Sequence, residues 1–436
     1  TAHLFADTFP FVHWTHAEFK QYHWNDLSRI ISTKNPINCQ VSAFFEFTAC
    51  IVGLNYGMIN HPIQEIEGNP SKGGICFLSE LDDLRQQIDK IDDQLAKLIS
   101  RRGRLAQGIG EEKSRQGKMT HFHVPQRERA ILDRLKEQNK GPFPNSSIDS
   151  IFRELFSATL ALEKPLKIAF LGPETTFSHQ AAVRHFGHSC TFNPCGNIET
   201  VFSEVEMGNS DYGVVPVENS IEGVINLTLD CFVDSPLYIC SETRLPIGLF
   251  LLSKTTDKKK IEKIYSHPQP FAQCRNWLSS NLPGVEQVPA SSTAQAAELT
   301  KQNKNTAAIA GQMAAEVYGL KVIDKNIQDR AENHTRFLVV SKDKAKRAKK
   351  NKTSLMFSIT DESGSLLKTL QLFAKNKINL SKIQSRPLRN RPWEYLFYVD
   401  FIGHVDDKTV QHVLKVLGKQ TLFLRVLGSY PEQGQP

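Results

Sequence analysis

Residues 212–217, Tyr-Gly-Val-Val-Pro-Val, make a short apolar run that stops at Glu218, Asn219 and Ser220. Such a run reads as a strand buried on both faces, which commits the surrounding chain to a sheet covered by helices. The three polar residues fall where a parallel strand hands over to a helix, the edge at which open α/β sheets bind ligands. Two readings stand side by side: a capped turn, with Asn219 or Ser220 as N-cap and Glu222 in the first helical turn, or a ligand site. Other segments favour the second. Gly172-Pro173-Glu174-Thr175-Thr176-Phe177-Ser178 follows a β-run at 167–171; strand, glycine turn, hydroxyl cap and helix together make a seat for an anion. Tyr265-Ser266-His267 with Gln273, Ser291-Ser292-Thr293, and Glu332-Asn333-His334-Thr335-Arg336-Phe337 continue the series. Strands alternating with helices over 166–341 predict two α/β halves around a cleft.

The pattern before residue 165 is helical. From Ser79, expected as an N-cap, apolar residues fall at Leu84, Ile88, Ile91, Leu95 and Leu98 in a four-three seam. The seam runs on through Arg102, Leu105, Ile109 and Lys113, so two cations lie on a stripe that otherwise packs. Either they snorkel to solvent or they face an anion inside a bundle. Helices predicted at 127–138, begun by Pro125, and at 148–164 add Arg127, Glu128 and Glu163. Unpaired charges in such an interior would cost several kcal/mol each, which argues for a polar pocket. Gly103, Gly108 and Gly110 each lower the long helix's intrinsic stability by up to about 1 kcal/mol.

The net charge of +7 would suggest a nucleic-acid partner if it were spread over a surface. Residues 342–352 hold seven basic residues and one acid, so nearly all of it sits in one stretch without interleaved aromatics. We expect a solvated connector there, with no nucleic-acid contact. The eight cysteines include no C-x-x-C pair, which favours reduced thiols and a cytoplasmic location. Residues 41–59 come closest to a membrane span, but Glu46 and Asn55 interrupt them, and no membrane association is expected. Beyond the connector, strands and helices from 353 to 431 alternate in β-α-β-β-α-β order, a ferredoxin-like unit.

Residues 1–78 carry five of the fourteen histidines and no sustained periodicity, and they stay unassigned. His13 and His16 lack a partner cluster, so no metal is expected. The first residue is Thr1 and not methionine, from which we expect a fragment or an over-extended reading frame.

Leu84-Arg85-x-x-Ile88-Asp89-x-Ile91-Asp92, followed by Arg102, Lys113, Arg127-Glu128 and the 159–163 segment, resembles the all-helical class of chorismate mutases. That resemblance implies an intertwined homodimer in which Arg102 and the partner chain's Arg85 hold the two carboxylates of chorismate. It further implies Lys113 on the ether oxygen, Glu128 on the hydroxyl, Arg127 ordering the site, a backbone amide near Val124, Thr159 beside a carboxylate, and Glu163 at a position occupied by Gln or Glu. The distance between the arginines agrees: 17 residues of straight helix separate them by roughly 26 Å, too far for one small dianion to touch both within one chain.

The segments over 166–340, above all Thr335-Arg336-Phe337, resemble prephenate dehydratases. This implies Thr335 as the donor to the departing hydroxyl, Arg336 on a carboxylate, and Thr176, Ser178, Glu218, Asn219, Ser266 and Gln273 around prephenate. Glu174-Thr175 departs from that family's pattern, where a small residue and Gly are usual. The 353–431 unit is similar to the ACT domain of such enzymes, a phenylalanine sensor, with Gly364, Ser365 and Leu366 and then Gln384, Ser385, Arg386 and Pro387 at the effector positions. Gln384 replaces the usual Glu.

The expected architecture is therefore multidomain. An all-α mutase bundle (79–165) precedes a two-lobed α/β dehydratase domain (166–341), a basic linker (342–352) and an α+β ferredoxin-like ACT domain (353–431). The implied function is the conversion of chorismate through prephenate to phenylpyruvate, without cofactors and under phenylalanine control. A non-catalytic solute-binding protein with two lobes is the rival, against which Thr335-Arg336-Phe337 argues. A third reading keeps the dehydratase and gives the helical part only a dimerising role.

Overall fold

A computed structural model describes residues 74–116, 125–360, 362–387 and 395–433. Val124, His13, His16 and the 41–59 run lie outside these residues. Among the described residues no helix is long and apolar enough to cross a membrane, and no group of His, Cys, Asp and Glu is arranged to hold a metal.

Three helices open the described chain: α1 (Gly74–Arg115), α2 (Pro125–Gln138) and α3 (Asn145–Glu163). The helix expected from Ser79 begins earlier, at Gly74, so Ser79 is helical and does not cap it. Glycines inside α1 let α3 approach it closely. A Cβ on Gly103 would stand 3.3 Å from Leu162 Cδ1, and one on Gly110 would stand 3.3 Å from Glu163 Cγ. The propensity lost at these two positions therefore has a packing reason. The seam of α1 remains open on its own chain, where Ile88 is 58% and Leu98 is 60% exposed.

The next segment supplies two sheets. The first has the strand order β2 (Thr191–Cys195), β1 (Lys167–Leu171), β3 (Tyr212–Asn219), β11 (His334–Ser341), β5 (Tyr238–Pro246), with β4 (Gly223–Val224) paired to β3. The second has the order β10 (Lys321–Asp324), β6 (Phe250–Ser253), β9 (Thr306–Ala310), β7 (Lys263–Ser266), β8 (Glu286–Pro289). The chain crosses from one lobe to the other just after β5 and returns just before β11. The two crossings are tied together, because Ile247 N donates to Asn333 O (2.7 Å) and Ile327 N to Leu249 O (2.8 Å). Helices Phe177–Phe186 (α4) and Ile198–Met207 (α5) cover opposite faces of the first sheet, and Pro268–Gln273 (α7) follows β7 in the second lobe.

One expectation about this region changes. The run at 212–217 does not hand over to a helix. β3 continues through Glu218 and Asn219, turns, and pairs back through β4; the following helix, α6 (Asn226–Asp234), begins only at Asn226. Asn219 caps the turn instead, its Oδ1 accepting from Ile221 N (2.9 Å) and Glu222 N (3.1 Å). The physical reason is β11, which lies antiparallel to β3 and pairs Thr335 with Asn219 and Arg336 with Glu218.

The C-terminal unit is β12 (Asn351–Ser358), α8 (Ser365–Lys375), β13 (Leu380–Pro387), β14 (Tyr395–Ile402), α9 (Lys408–Gln420) and β15 (Phe423–Pro431), with antiparallel order β13-β14-β12-β15. The expected connector ends earlier than 352. Asn351 and Lys352 already belong to β12, and Lys352, far from being solvated, is buried and donates to Glu242 (2.7 Å). This unit packs directly on the first sheet: one apolar core holds Phe232, Leu237 and Ile239 together with Met356, Tyr398 and Tyr430. Gly428 lets β15 cross β5, because a Cβ there would fall 2.1 Å from Ile239 O.

Candidate active sites

The helical unit encloses a cavity of about 400 Å3. Arg102, Lys113, Arg127, Glu128, Thr159 and Glu163 line it, with Ala106 and Phe156 as apolar wall. The four-three seam of α1 places Arg102 and Lys113 on the face that meets α3, as the periodicity requires. Arg102 Nη1 donates to Thr159 Oγ1 and to Leu155 O (3.3 Å), and its guanidinium lies 5.3 Å from the centre of the Phe156 ring. Lys113 Nζ lies 3.2 Å from Glu163 Oε2. Burial pushes the Arg102 pKa below its ordinary value; Glu128 opposes this and Arg127 adds to it. The guanidinium stays charged, so this half-buried cation is better accommodated once an anion enters. Arg85 is exposed on α1 and does not line the cavity.

The second site sits where the chain crosses between the α/β lobes. Asn219 Nδ2 donates to Thr335 Oγ1 and to Asn333 Oδ1, both at 2.9 Å. Asn333 Nδ2 donates to Gln273 Oε1 (3.0 Å), and Gln273 Nε2 to Glu222 Oε1 (2.8 Å). Because Glu222 N donates back to Asn219, the ring closes across both lobes. The two backbone N–H groups on Asn219 Oδ1 fix which end of the amide faces Thr335. The Thr335 oxygen thus accepts from Asn219, leaving the hydroxyl proton to be donated elsewhere.

In the same lobe, α4 opens with Thr176 as N-cap and Ser178 buried in its first turn. The Thr176 hydroxyl bonds the local backbone, donating toward Leu171 O (3.1 Å) and Pro173 O (2.9 Å), so it shapes the turn. Thr175 has φ of +68°, left-handed backbone that disfavours a β-branched residue and explains why Gly is usual there. Its N–H donates to His179 Nδ1 (3.1 Å), and the His179 ring stacks on Phe170 with centroids 4.7 Å apart.

Three sequence expectations need correction here. The Arg336 side chain is not open to a carboxylate: it is buried, with Nε on Glu242 (2.7 Å), Nη1 on Asp400 (2.6 Å) and Nη2 on the Tyr430 hydroxyl (3.0 Å). Glu218 accepts from Lys382 Nζ (2.8 Å), on the strand face opposite Asn219. Ser266 is fully buried and donates to Ile309 O (2.8 Å). Conversely, Asn333 and Glu222 join the ring at this candidate site although the sequence does not single them out. Asn333 stands two residues before Thr335, the spacing that puts both on one face of an extended chain, and that signal was available.

In the C-terminal unit Gly364, Ser365 and Leu366 line a cavity of about 320 Å3 with Tyr395 and Phe397. Gln384, Ser385, Arg386 and Pro387 do not line it. Arg386 instead pairs with Asp230 of the dehydratase-like unit, Nε to Oδ1 at 3.1 Å.

A helical bundle with a cationic pocket, a two-lobed α/β unit with a threonine at its crossing, and a ferredoxin-like sheet packed on it define a multidomain enzyme with its own sensor module. Family models match the three units in turn: chorismate mutase type II over residues 84–164, prephenate dehydratase over 168–345 and the ACT domain over 353–419. The bifunctional chorismate mutase/prephenate dehydratase of Aquifex aeolicus is 46% identical over 359 residues, covering 81% of this chain and 99% of that protein. The one from Pseudomonas aeruginosa is 43% identical over 357 residues, covering 81% and 98%. Among solved structures, the prephenate dehydratase of Arthrobacter aurescens in complex with L-Phe is 34% identical with a TM-score of 0.57, covering 61% of this chain and 90% of that one. The chain belongs to the bifunctional chorismate mutase/prephenate dehydratase family and carries both activities on one polypeptide.

Proposed function

We propose that the two reactions run in the two sites just described, each by positioning and without a cofactor. In the helical cavity Arg102 and Thr159 hold one carboxylate of chorismate, Lys113 donates to the ether oxygen, Glu163 beside it can donate there only in its acid form, and Glu128 takes the hydroxyl with Arg127 ordering it. The rearrangement is unimolecular, so selecting the folded conformer and donating to the developing negative charge suffice. The second carboxylate falls to Arg85 of a second copy. The exposed apolar seam of α1 supports this homodimer, since such a face is normally covered. In the lobed unit Thr335 donates to the hydroxyl that leaves prephenate, and Asn219 and Gln273 frame the ring. The observation that carries this reading is the Asn219–Thr335 bond, which holds the hydroxyl with its proton available.

Phenylalanine is the effector, taken by the cavity beside Gly364, Ser365 and Leu366. Calorimetry with phenylalanine up to millimolar concentration tests this, and absence of binding removes the sensor role. Cys190, Cys195, Cys231, Cys240 and Cys274 are free, which supports a reducing, cytoplasmic setting. Thr335→Val tests the dehydratase assignment: prephenate turnover should fall by about a hundredfold while chorismate turnover stays within twofold of wild type. Loss of less than tenfold would assign the proton donor elsewhere.

A further inference from the structure

The pairing of β3 with β11 sets two couples of side chains back to back. Asn219 lies opposite Thr335, and one step along the ladder Glu218 lies opposite Arg336. Successive strand residues point to opposite faces, so the first couple faces Asn333 and, through it, Gln273 of the second lobe, and the second faces the ACT sheet. The register shifts immediately after Arg336, a bulge at the point where a strand's aim is most easily altered.

The second couple is anchored by the C-terminal unit and by one dehydratase strand. Arg336 places its three nitrogens on Glu242 of β5, Asp400 of β14 and the Tyr430 hydroxyl of β15. Lys352 of β12 bonds the other oxygen of Glu242 (2.7 Å). Ser354 of β12 donates to Asp400 (2.5 Å) and lies 2.7 Å from the Tyr430 hydroxyl. Lys382 of β13 takes Glu218 (2.8 Å), so all four ACT strands reach this couple or its partners. Glu242 and Tyr430 are completely buried, and Lys352, Asp400 and Arg336 nearly so. Their charges cancel: Arg336, Lys352 and Lys382 face Glu242, Asp400 and Glu218. An apolar interface would dock the two units at lower desolvation cost. A buried ionic network of defined geometry instead fixes position, because each displaced partner leaves an unpaired charge.

We propose that Arg336 and Glu218 are positioning residues through which the ACT sheet sets the separation and orientation of the Asn219–Thr335 couple. The C-terminal unit is then a structural part of the dehydratase site, in addition to any sensing it performs. This rests on the reading of Thr335 as the donor. Displacing Asp400 or Tyr430 alters the aim of Thr335 through one covalent step of β11, without either residue touching substrate.

The test uses the full chain and prephenate and chorismate kinetics on four variants. Asp400→Asn removes the charge but keeps the shape; dehydratase kcat should fall about tenfold, with KM for prephenate and mutase turnover within twofold of wild type. Tyr430→Phe deletes a single hydroxyl and should lower kcat about threefold, and it decides the matter if Asp400→Asn does not fold. Arg336→Lys keeps the charge and should fall in kcat, not rise in KM. Unchanged kcat in the folded Asp400 and Tyr430 variants overturns the inference. So does a rise in KM at constant kcat for Arg336→Lys, which would make the guanidinium a substrate ligand, or an equal loss of both activities, which would make the network a plain structural support. Thr335→Val, run alongside, separates the failures: retained turnover there overturns the reading of the site and the inference with it, whereas the other outcomes overturn the inference alone.

Discussion

Arg102 and Arg336 are both arginines that the sequence offers as carboxylate ligands, and they end in opposite situations. Arg102 lines a cavity and uses its Nη1 on Thr159 and Leu155, with no carboxylate hydrogen-bonded to it among the described residues. Arg336 gives three nitrogens to two carboxylates and a phenol inside a closed interface. The difference teaches that a motif arginine is a ligand-binding residue only where the fold leaves its donors facing space. The same side chain lines an open cavity in one region and is closed onto a neighbouring domain in the other.

The strongest way to break the comparison is Arg102→Ala. Mutase kcat/KM should drop by about a hundredfold or more, the scale of losing a donor aimed at charge in a water-poor site, while prephenate turnover stays within twofold. Arg85→Ala should have the same effect on the mutase, and mixing the two inactive proteins should restore part of the activity, since a mixed dimer rebuilds one complete pocket. No recovery after demonstrated subunit exchange would place both arginines' work within one chain. If Arg102→Ala left the mutase intact, the two arginines would be alike after all.

A smaller effect sharpens the packing side. Gly110→Ala puts a methyl 3.3 Å from Glu163 Cγ, close enough to push that carboxylate away from Lys113. Mutase activity should fall about tenfold, one step of about 1.4 kcal/mol. Gly108, where an added Cβ would meet no described neighbour within 4 Å, serves as the control: Gly108→Ala should leave turnover unchanged and stabilise the helix by up to about 1 kcal/mol in thermal unfolding. Equal activities of the two variants would remove the close approach from the account of the site.

The smallest expected effect lies in the lobed unit. Burial holds the His179 imidazole below the usual histidine range, with Glu174 opposing and His188 adding to the shift. Its neutral Nδ1 accepts the Thr175 N–H at the strained turn. The unfolded chain takes up the proton first, so the stability contributed by the neutral ring is present above about pH 6.5 and is lost as pH falls from there toward the lower folded value. Thermal unfolding followed from pH 7.5 to 5 should show a decline that His179→Gln flattens. A parallel decline in both proteins would exclude this histidine as the cause.

Much of the fold was legible because it rests on local periodicity. The four-three seam set the face of α1 and so brought Arg102 and Lys113 onto one cavity, since a helix fixes the direction of residues three and four apart. The β-α-β-β-α-β order from 351 to 431 follows from alternating runs that each bury one face. The departure at Glu174-Thr175 was visible as an unusual residue choice, and the φ of Thr175 supplies its reason.

Other features belonged to no local pattern. Nothing near Lys352 distinguishes it from the basic residues before it, yet it is buried on Glu242, 110 residues away in the chain. Glu218 and Asn219 are adjacent and equally polar, and only the strand partners on either side decide that one faces Lys382 and the other Thr335. The elements, their buried faces and the inventory of polar groups at strand ends are readable from the residues alone, because they depend on short-range periodicity and composition. Which charge meets a cavity and which meets another charge emerges only on folding, because Coulombic and hydrogen-bond partners come from segments whose separation in the chain carries no information about their approach in space.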